Sequence, residues 1–348
     1  MRNRPLSLSP SFYHKHLMDC TEPALSYRGG DVLTWQSQLR PKVSALVGLD
    51  APGERTPLNV RTLWRRDHPL GTIEKIVFTA ERAADVPAYV CLPKNVRPPY
   101  TFMICLQGHS TGMHVSIGVQ RGDERRALRS EGDRDFAIGC MQRGIAALCI
   151  EQRAFGERRE TLHQQRAPHP CHDAAMHALM LGRTLLGERI FDVDRGIDYL
   201  LQRGDADPAR IGVMGNSGGG VVSIYAAALL PRLSFAIPSC SFCTLRHSFM
   251  SIYHCADNYV PGLLKVAEMA DVMGLFAPKP VVIVAGRIDP IFPLAGVRAA
   301  FRDLKAIYRA AGAPQACRLV VGPQGHRFYA DAAWAKLLPL LRRAHTAV

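Results

Sequence analysis

The pattern of apolar and polar positions changes near residue 100. Before it, residues 31–47 have a helical pattern interrupted by one proline, and the stretches 60–68, 71–81 and 85–94 have strand-like character. The connections between these three stretches are short and polar or contain glycine and proline, which favours antiparallel pairing. This part of the chain therefore predicts a helical extension followed by the antiparallel edge of a sheet.

After residue 100, short apolar runs alternate with longer amphipathic stretches. The apolar runs predict buried strands at 100–108, 145–152, 210–215, 233–240, 280–286 and 316–322. The stretches between them predict helices at 133–144, 174–204, 219–230, 293–312 and 331–345. Such alternation indicates a mostly parallel sheet with helices on both faces, and ligands bind such sheets at the carboxyl ends of the strands.

Composition excludes several classes of protein. The chain has 348 residues, of which 47% are hydrophobic, and this is enough for a large core. No apolar run is long enough for a transmembrane helix, and the N-terminal stretch lacks the apolar segment of a secretion signal. We therefore expect a cytoplasmic protein with no membrane partner, whose ten cysteines are mostly reduced core residues.

The formal net charge of +13 raises the question of a nucleic-acid partner. The basic residues are scattered, and their densest runs are brief or contain acidic residues. This distribution favours a solvated surface, and we expect no nucleic-acid binding. The charge is compatible with attraction of anionic substrates.

Residues Gly215 to Gly219, with Ser217 at the centre, match the pattern G-x-S-x-G. An apolar strand precedes the pattern and a helix follows it, as the nucleophile elbow of a serine hydrolase requires. Small neighbours allow the strand and the helix to pack closely. The Gly218 amide would stand at the helix N-terminus, where it can stabilise an oxyanion.

A serine nucleophile needs a base, and the base needs an acid that orients it. On this fold the chain order is serine, acid, histidine. His326 follows the last predicted strand directly, and Asp289 lies three residues after the strand before it. The other histidines and acids considered lie in predicted connections or helices and fit these positions poorly: His247, His254, His345, Asp257, Asp271 and Asp303. We expect the three aspartates to be helix caps or surface charges.

The second oxyanion donor should come from the loop after the strand at 100–108. The amide of His109 is the expected donor, with the amide of Ser110 as the alternative, and the His109 side chain is expected to line the pocket. A small insertion near 110–135 is expected to shape that pocket.

Two further features have more than one interpretation. Cys240 and Cys243 have the C-x-x-C spacing of metal or redox sites, but no second such pair follows, so we expect packing and no metal. Glu151 and Arg153 end a strand at the ligand-binding edge, where a structural ion pair is favoured over contact with substrate.

Several motifs together resemble the acetyl xylan esterase-like branch of the α/β-hydrolase superfamily, which is related to dienelactone hydrolase-like proteins. They include "LQGHSTG", "GVMGNSGGG", "GRIDPIFP" and "GPQGHRF", and the resemblance runs from about residue 60 to the end. It implies a serine hydrolase of esters with Ser217, Asp289 and His326 as its triad. The amides around His109 and Gly218 would form the oxyanion hole.

The chain departs from these relatives at two places. Gln107 and Gly108 stand where many relatives have His-Gly before the oxyanion loop, which changes the polarity of the pocket and leaves the backbone donor in place. Dienelactone hydrolases proper use a cysteine nucleophile, and the serine here favours simple esters.

These observations lead to one expected function and two alternatives. We expect an α/β-hydrolase fold with a helical extension at 1–58 and a catalytic domain at 59–348. It would hydrolyse a small, short-acyl ester through an acyl-enzyme, without metal or organic cofactor. A prolyl-oligopeptidase-like peptidase or amidase, and a non-catalytic scaffold that binds a ligand, remain as alternatives, and homo-oligomerisation is left open.

Overall fold

The structure is a computed structural model that describes residues 8–49, 55–160 and 171–345. The strands are β1 (Arg61–His68), β2 (Gly71–Glu81), β3 (Ala84–Pro93), β4 (Tyr100–Leu106), β5 (Val119–Gln120), β6 (Asp123–Ala127), β7 (Ala146–Ile150), β8 (Ala206–Asn216), β9 (Phe235–Ser239), β10 (Val281–Gly286) and β11 (Cys317–Gly322). The α-helices are α1 (Pro10–Cys20), α2 (Val32–Val47), α3 (Phe136–Met141), α4 (His172–Met180), α5 (Leu185–Arg203), α6 (Gly218–Leu229), α7 (Met269–Gly274), α8 (Leu294–Ala310) and α9 (Ala330–His345).

Within these ranges, nine strands form one sheet in the order β1-β2-β3-β7-β4-β8-β9-β10-β11. The first three strands pair antiparallel, and β3 joins β7 antiparallel. All pairs from β7 to β11 are parallel. The predicted antiparallel edge and parallel main sheet are both confirmed, and the short hairpin β5-β6 lies inside the predicted insertion.

Helices cover both faces of the sheet. On one face, α2, α5, α6, α7 and α8 contribute buried side chains to a single apolar cluster, among them Leu39, Ile190, Val221, Val272 and Leu304. On the other face, α3 and α9 pack through Phe136, Trp334 and Leu337 against Met103 and Val282 of the sheet. Two covered faces are the reason why strands such as β7 and β10 are buried and apolar at every position.

The helical extension packs into the same core as the sheet. Leu39, Val43 and Val47 of α2 are fully buried, and the Gln36 amide donates hydrogen bonds to two carbonyls at the end of α7 and just after it. Of the predicted domains, residues 1–7, 50–54, 161–170 and 346–348 lie outside the described residues, and the boundary at 58 stays a prediction. Among the described helices, none combines the length and the apolar character needed to cross a membrane.

Candidate active site

Ser217 lies in a sharp turn between β8 and α6. Its backbone has φ 58° and ψ −125°, a region that side chains with a Cβ rarely adopt. Its amide donates to the carbonyl of Ser239 on the neighbouring strand at 2.9 Å. Strained backbone of this kind concentrates at functional sites, and the turn has the conformation that the motif predicts.

Glycines allow this turn to pack against its neighbours. A Cβ on Gly215 would lie 2.3 Å from the carbonyl oxygen of Gly219, and one on Gly219 would lie 2.2 Å from that of Leu106. Both distances are far shorter than atoms tolerate. The close packing of strand and helix around Ser217 therefore depends on the absence of side chains at 215 and 219.

His326 and Asp289 form a hydrogen-bonded pair. His326 Nδ1 lies 2.8 Å from Asp289 Oδ2, although the two residues are 37 positions apart. The other carboxylate oxygen, Oδ1, accepts from the amides of Ile291 and Phe292 at 2.9 and 3.3 Å. Burial alone would raise the pKa of Asp289. The hydrogen bond and the electrostatic interaction with His326, together with the two backbone amides, hold this pKa below its ordinary value. An ionised carboxylate thus fixes the imidazole through Nδ1.

The loop after β4 lies directly against Ser217. A Cβ on Gly108 would be 2.9 Å from the Ser217 Cβ and 3.6 Å from its Oγ. The neighbouring His109 ring packs on Gly218, since a Cβ there would lie 2.7 Å from ring atom Cε1. The structure therefore brings together the two segments whose amides were expected to serve as oxyanion donors.

The His109 ring is part of a buried charged network. Its Nε2 lies 2.8 Å from Oδ1 of Asp257, and Arg189 donates to the other carboxylate oxygen at 2.5 Å. Arg189 also lies over the Phe155 ring, which meets His109 edge to face. The expectation that Asp257 is a cap or a surface charge is wrong, because its side chain is completely buried between two cationic groups.

These contacts determine the charge of the network. Burial alone would lower the pKa of His109, but the Asp257 carboxylate raises it to about 9. Burial would raise the pKa of Asp257, but Arg189 and His109 hold it well below its ordinary range. At neutral pH a positively charged imidazolium therefore packs against Gly218, the first residue of α6.

Comparison with known proteins identifies the family. A model described as the Abhydrolase family matches residues 15–320. The chain belongs to the Abhydrolase family. This match confirms the α/β-hydrolase fold and the resemblance on which the expected function partly rests.

Individual relatives agree with the family. One relative is YtaP of Bacillus subtilis (strain 168), which is provisionally named a hydrolase. It is 27% identical to this chain over 296 residues, which are 84% of this chain and 94% of YtaP. A Bacteroides fragilis NCTC 9343 structure, described provisionally as an acetyl xylan esterase, has a TM-score of 0.75 at 16% identity and covers 92% of this chain and 84% of its own. A glucuronoyl esterase from Solibacter usitatus has a TM-score of 0.65 at 16% identity. The match covers 92% of this chain and 97% of that esterase.

Sequence reasoning did not place His254 in the site of this α/β-hydrolase. Its ring stacks on Phe249 and meets Phe292 edge to face, and Phe292 in turn stacks on His326. Burial and the charge of His109 lower the pKa of His254 to about 4, so the ring is neutral at neutral pH. The long irregular connection between β9 and α7 supplies both His254 and Asp257, and no periodic pattern in that connection indicates where its side chains point.

The remaining histidines and acids have other surroundings. His247 Nδ1 bonds Thr244 Oγ1 at 2.6 Å. Asp271 forms a capping box with Glu268 at the start of α7, as expected of a cap. Asp303 is exposed and lies 3.9 Å from Arg302. His345 ends α9, and its side chain lies outside the described residues.

The two cysteines of the C-x-x-C pattern point to different neighbours. Cys240 groups with Asp289 and His326, their ligand atoms lying within 4.8 Å of one another. Cys243 instead donates to the carbonyl of Pro293 at 3.8 Å. The pattern therefore does not supply two ligands to one point among the described residues.

Glu151 and Arg153 do not pair with each other. Arg153 forms salt bridges with Glu81, Glu188 and Asp192. Glu151 is buried and accepts from two backbone amides, those of Met113 and Glu157, at 3.0 Å each. The expected local pair is wrong, because Arg153 is held by carboxylates of β2 and α5 whereas Glu151 binds backbone amides of two other segments.

Proposed function

We propose that this α/β-hydrolase is a serine carboxylic ester hydrolase for a small, short-acyl ester, with Ser217 as nucleophile, His326 as base and Asp289 as orienting acid. The proposal rests on the His326–Asp289 hydrogen bond. This pair lies at the carboxyl edge of the sheet, and the strained Ser217 lies at the same edge. Three residues with these chemical roles follow three strands in the chain order of the fold.

The acylation step uses each residue in turn. Ser217 Oγ attacks the ester carbonyl carbon, and His326 Nε2 takes the hydroxyl proton as the new C–O bond forms. The resulting tetrahedral intermediate collapses, the bond to the alcohol breaks, and His326 returns the proton to the leaving alkoxide. Asp289 holds the imidazole in the correct tautomer and stabilises the imidazolium.

The oxyanion of the intermediate would be held by the amides of His109 and Gly218. Gly108 is adjacent to Ser217 Oγ, and this closeness supports the next residue, His109, as the first donor. The imidazolium of His109 packs on Gly218, so a positive charge lies next to the residue whose amide is the second donor. Preorganised donors of this kind each contribute about a hundredfold to a thousandfold in rate.

Deacylation repeats the same chemistry with water. His326 takes a proton from water, which attacks the acyl carbonyl, and the proton then returns to Ser217 Oγ as the acid leaves. The reaction needs no metal or organic cofactor, since every proton transfer is supplied by His326. The acetyl xylan and glucuronoyl esterases among the structural neighbours support an ester as the substrate class.

A covalent label tests the assignment directly. A fluorophosphonate reacts with activated serines, so we expect one label on the peptide that contains Ser217 and none in Ser217→Ala. Ser37→Ala removes an exposed serine of α2 and should label like the wild type. Labelling of Ser217→Ala at the wild-type rate would contradict the proposal.

A further inference from the structure

A cavity opens beside the loop after β4, the loop that contains His109. Its volume is about 460 Å³, a size typical of small-molecule sites. The walls come from the loop after β4, the segment before β6 and the segment after β7. The lining includes Ser110, Thr111, His114, Arg121, Phe155 and Arg159.

This cavity is close enough to Ser217 to hold another part of the same substrate. The Cβ position of Gly108 is 3.6 Å from Ser217 Oγ, and Ser110 follows two residues later. Since each residue spans at most about 3.6 Å, the wall at Ser110 lies within about 12 Å of the hydroxyl. The Phe155 ring forms a second link, because its centroid is 4.8 Å from that of His109.

The charged side chains that line the cavity are cationic. None of the described lining residues is acidic, and two of them are arginines. Arg153, Arg158 and Arg189 nearby have carboxylate partners, whereas the salt bridges of the described residues include neither Arg121 nor Arg159. The Arg159 Nε is buried without a hydrogen-bond partner among those residues.

Three other titratable groups near the cavity, His114, Glu151 and Glu157, do not cancel this charge. Burial and the charge of Arg121 lower the pKa of His114, which leaves that ring neutral. The Glu151 carboxylate packs against Gly156 of the cavity wall. Burial raises the pKa of Glu151 to about 7, so this side chain is partly protonated at neutral pH. Glu157 is engaged by Lys75 at 2.7 Å.

We infer that this cavity binds a carboxylate of the substrate through Arg121 and Arg159, so that the preferred substrates are esters that carry a second, anionic group. The guanidinium fork matches a carboxylate in shape and charge. The inference rests on the proposed ester hydrolysis at Ser217 and adds the chemical class of the substrate.

Two matched pairs of substrates test it. The first pair is 3-(4-acetoxyphenyl)propanoate and its amide. Both carry an acetyl group on a phenol, and the two-carbon side chain keeps the carboxylate from changing the reactivity of that phenol as a leaving group. The second pair is monomethyl suberate and methyl suberamate, which place the anion on the acyl side. We expect the wild-type kcat/KM to favour the acid of at least one pair by tenfold or more, mainly through KM.

The variant Arg121→Gln/Arg159→Gln should lose most of this preference, and added salt should weaken the preference in the wild type. The matched control is Arg125→Gln/Arg126→Gln, which removes two exposed arginines of β6 and should keep the preference. A wild type without preference in either pair, or a preference that survives in the first variant or falls equally in the control, would overturn the inference. Failure to cleave any of the four esters while p-nitrophenyl acetate is cleaved would overturn the inference alone. Failure to cleave p-nitrophenyl acetate as well would contradict the proposed function, and the inference would fall with it.

Discussion

His109 Nε2 lies 2.8 Å from Oδ1 of Asp257, a residue 148 positions later in the chain. The bond ties the loop after β4 to the connection between β9 and α7, and Arg189 of α5 closes the network from a third element. A contact between three elements that are far apart in sequence holds the loop next to Ser217 in place.

Asp257→Asn should therefore destabilise the protein strongly. The variant leaves the guanidinium of Arg189 buried without its counter-charge, and removal of one partner from a buried pair costs about 3–5 kcal/mol. Urea unfolding would measure the loss. Asp303→Asn removes an exposed carboxylate from α8 and should change the free energy of unfolding by less than about 0.5 kcal/mol. Equal stability of the two variants would contradict this account of the network.

The same network predicts how stability depends on pH. The pKa of His109 is raised from 6.5 to about 9 in the folded protein, so its contribution is complete below about pH 6.5 and disappears as the pH rises through about 9. The free energies of unfolding of the wild type and His109→Gln should converge over that interval by up to about 3 kcal/mol. A difference that stays constant from pH 6 to 9.5 would show that His109 is not the charged partner of Asp257.

Gly108→Ala should damage catalysis more than stability. The new Cβ would lie 2.8 Å from the carbonyl oxygen of Asn216 and 2.9 Å from the Ser217 Cβ, so either the loop or the serine must move. Displacement of reacting groups by about 1 Å can cost about a hundredfold in rate, and we expect kcat to fall by that order. Gly139→Ala in α3 is the control, because its Cβ meets nothing closer than 3.8 Å. Full activity of Gly108→Ala would contradict the placement of this loop.

Asp289→Asn should reduce kcat by about a thousandfold to ten-thousandfold while KM changes little. Asparagine keeps the size of the side chain but cannot hold the imidazole in the tautomer that leaves Nε2 as the base. Steady-state kinetics with an acetyl ester would measure the effect, and a thermal unfolding curve would check that the variant is folded. A loss of less than tenfold would remove Asp289 from the proposed triad.

The sequence predicted those parts of the fold that depend on periodic apolar patterns. The buried strands and the helices α5, α6, α8 and α9 follow from runs that admit one interpretation, and the position of Ser217 follows from glycines that the turn requires. Thr184 also explains the break in the predicted helix at 174–204, because its side chain caps α5 by accepting from the amide of Gly187 at 2.9 Å.

The parts that were missed depend on contacts between segments far apart in the chain. Asp257 and His254 lie in an irregular connection, and their neighbours come from the loop after β4 and from the loop after β10. Arg153 has partners on β2 and α5 instead of the nearby Glu151. No local pattern encodes such partners, since they are set by how the elements pack.

The central claim is that Ser217 is the nucleophile of an ester hydrolase. The most direct measurement compares hydrolysis of p-nitrophenyl acetate by the wild type and by Ser217→Ala under the same conditions. The account predicts turnover by the wild type and a loss of several orders of magnitude in the variant, because the remaining groups cannot form an acyl-enzyme. Equal turnover by the two proteins would contradict it.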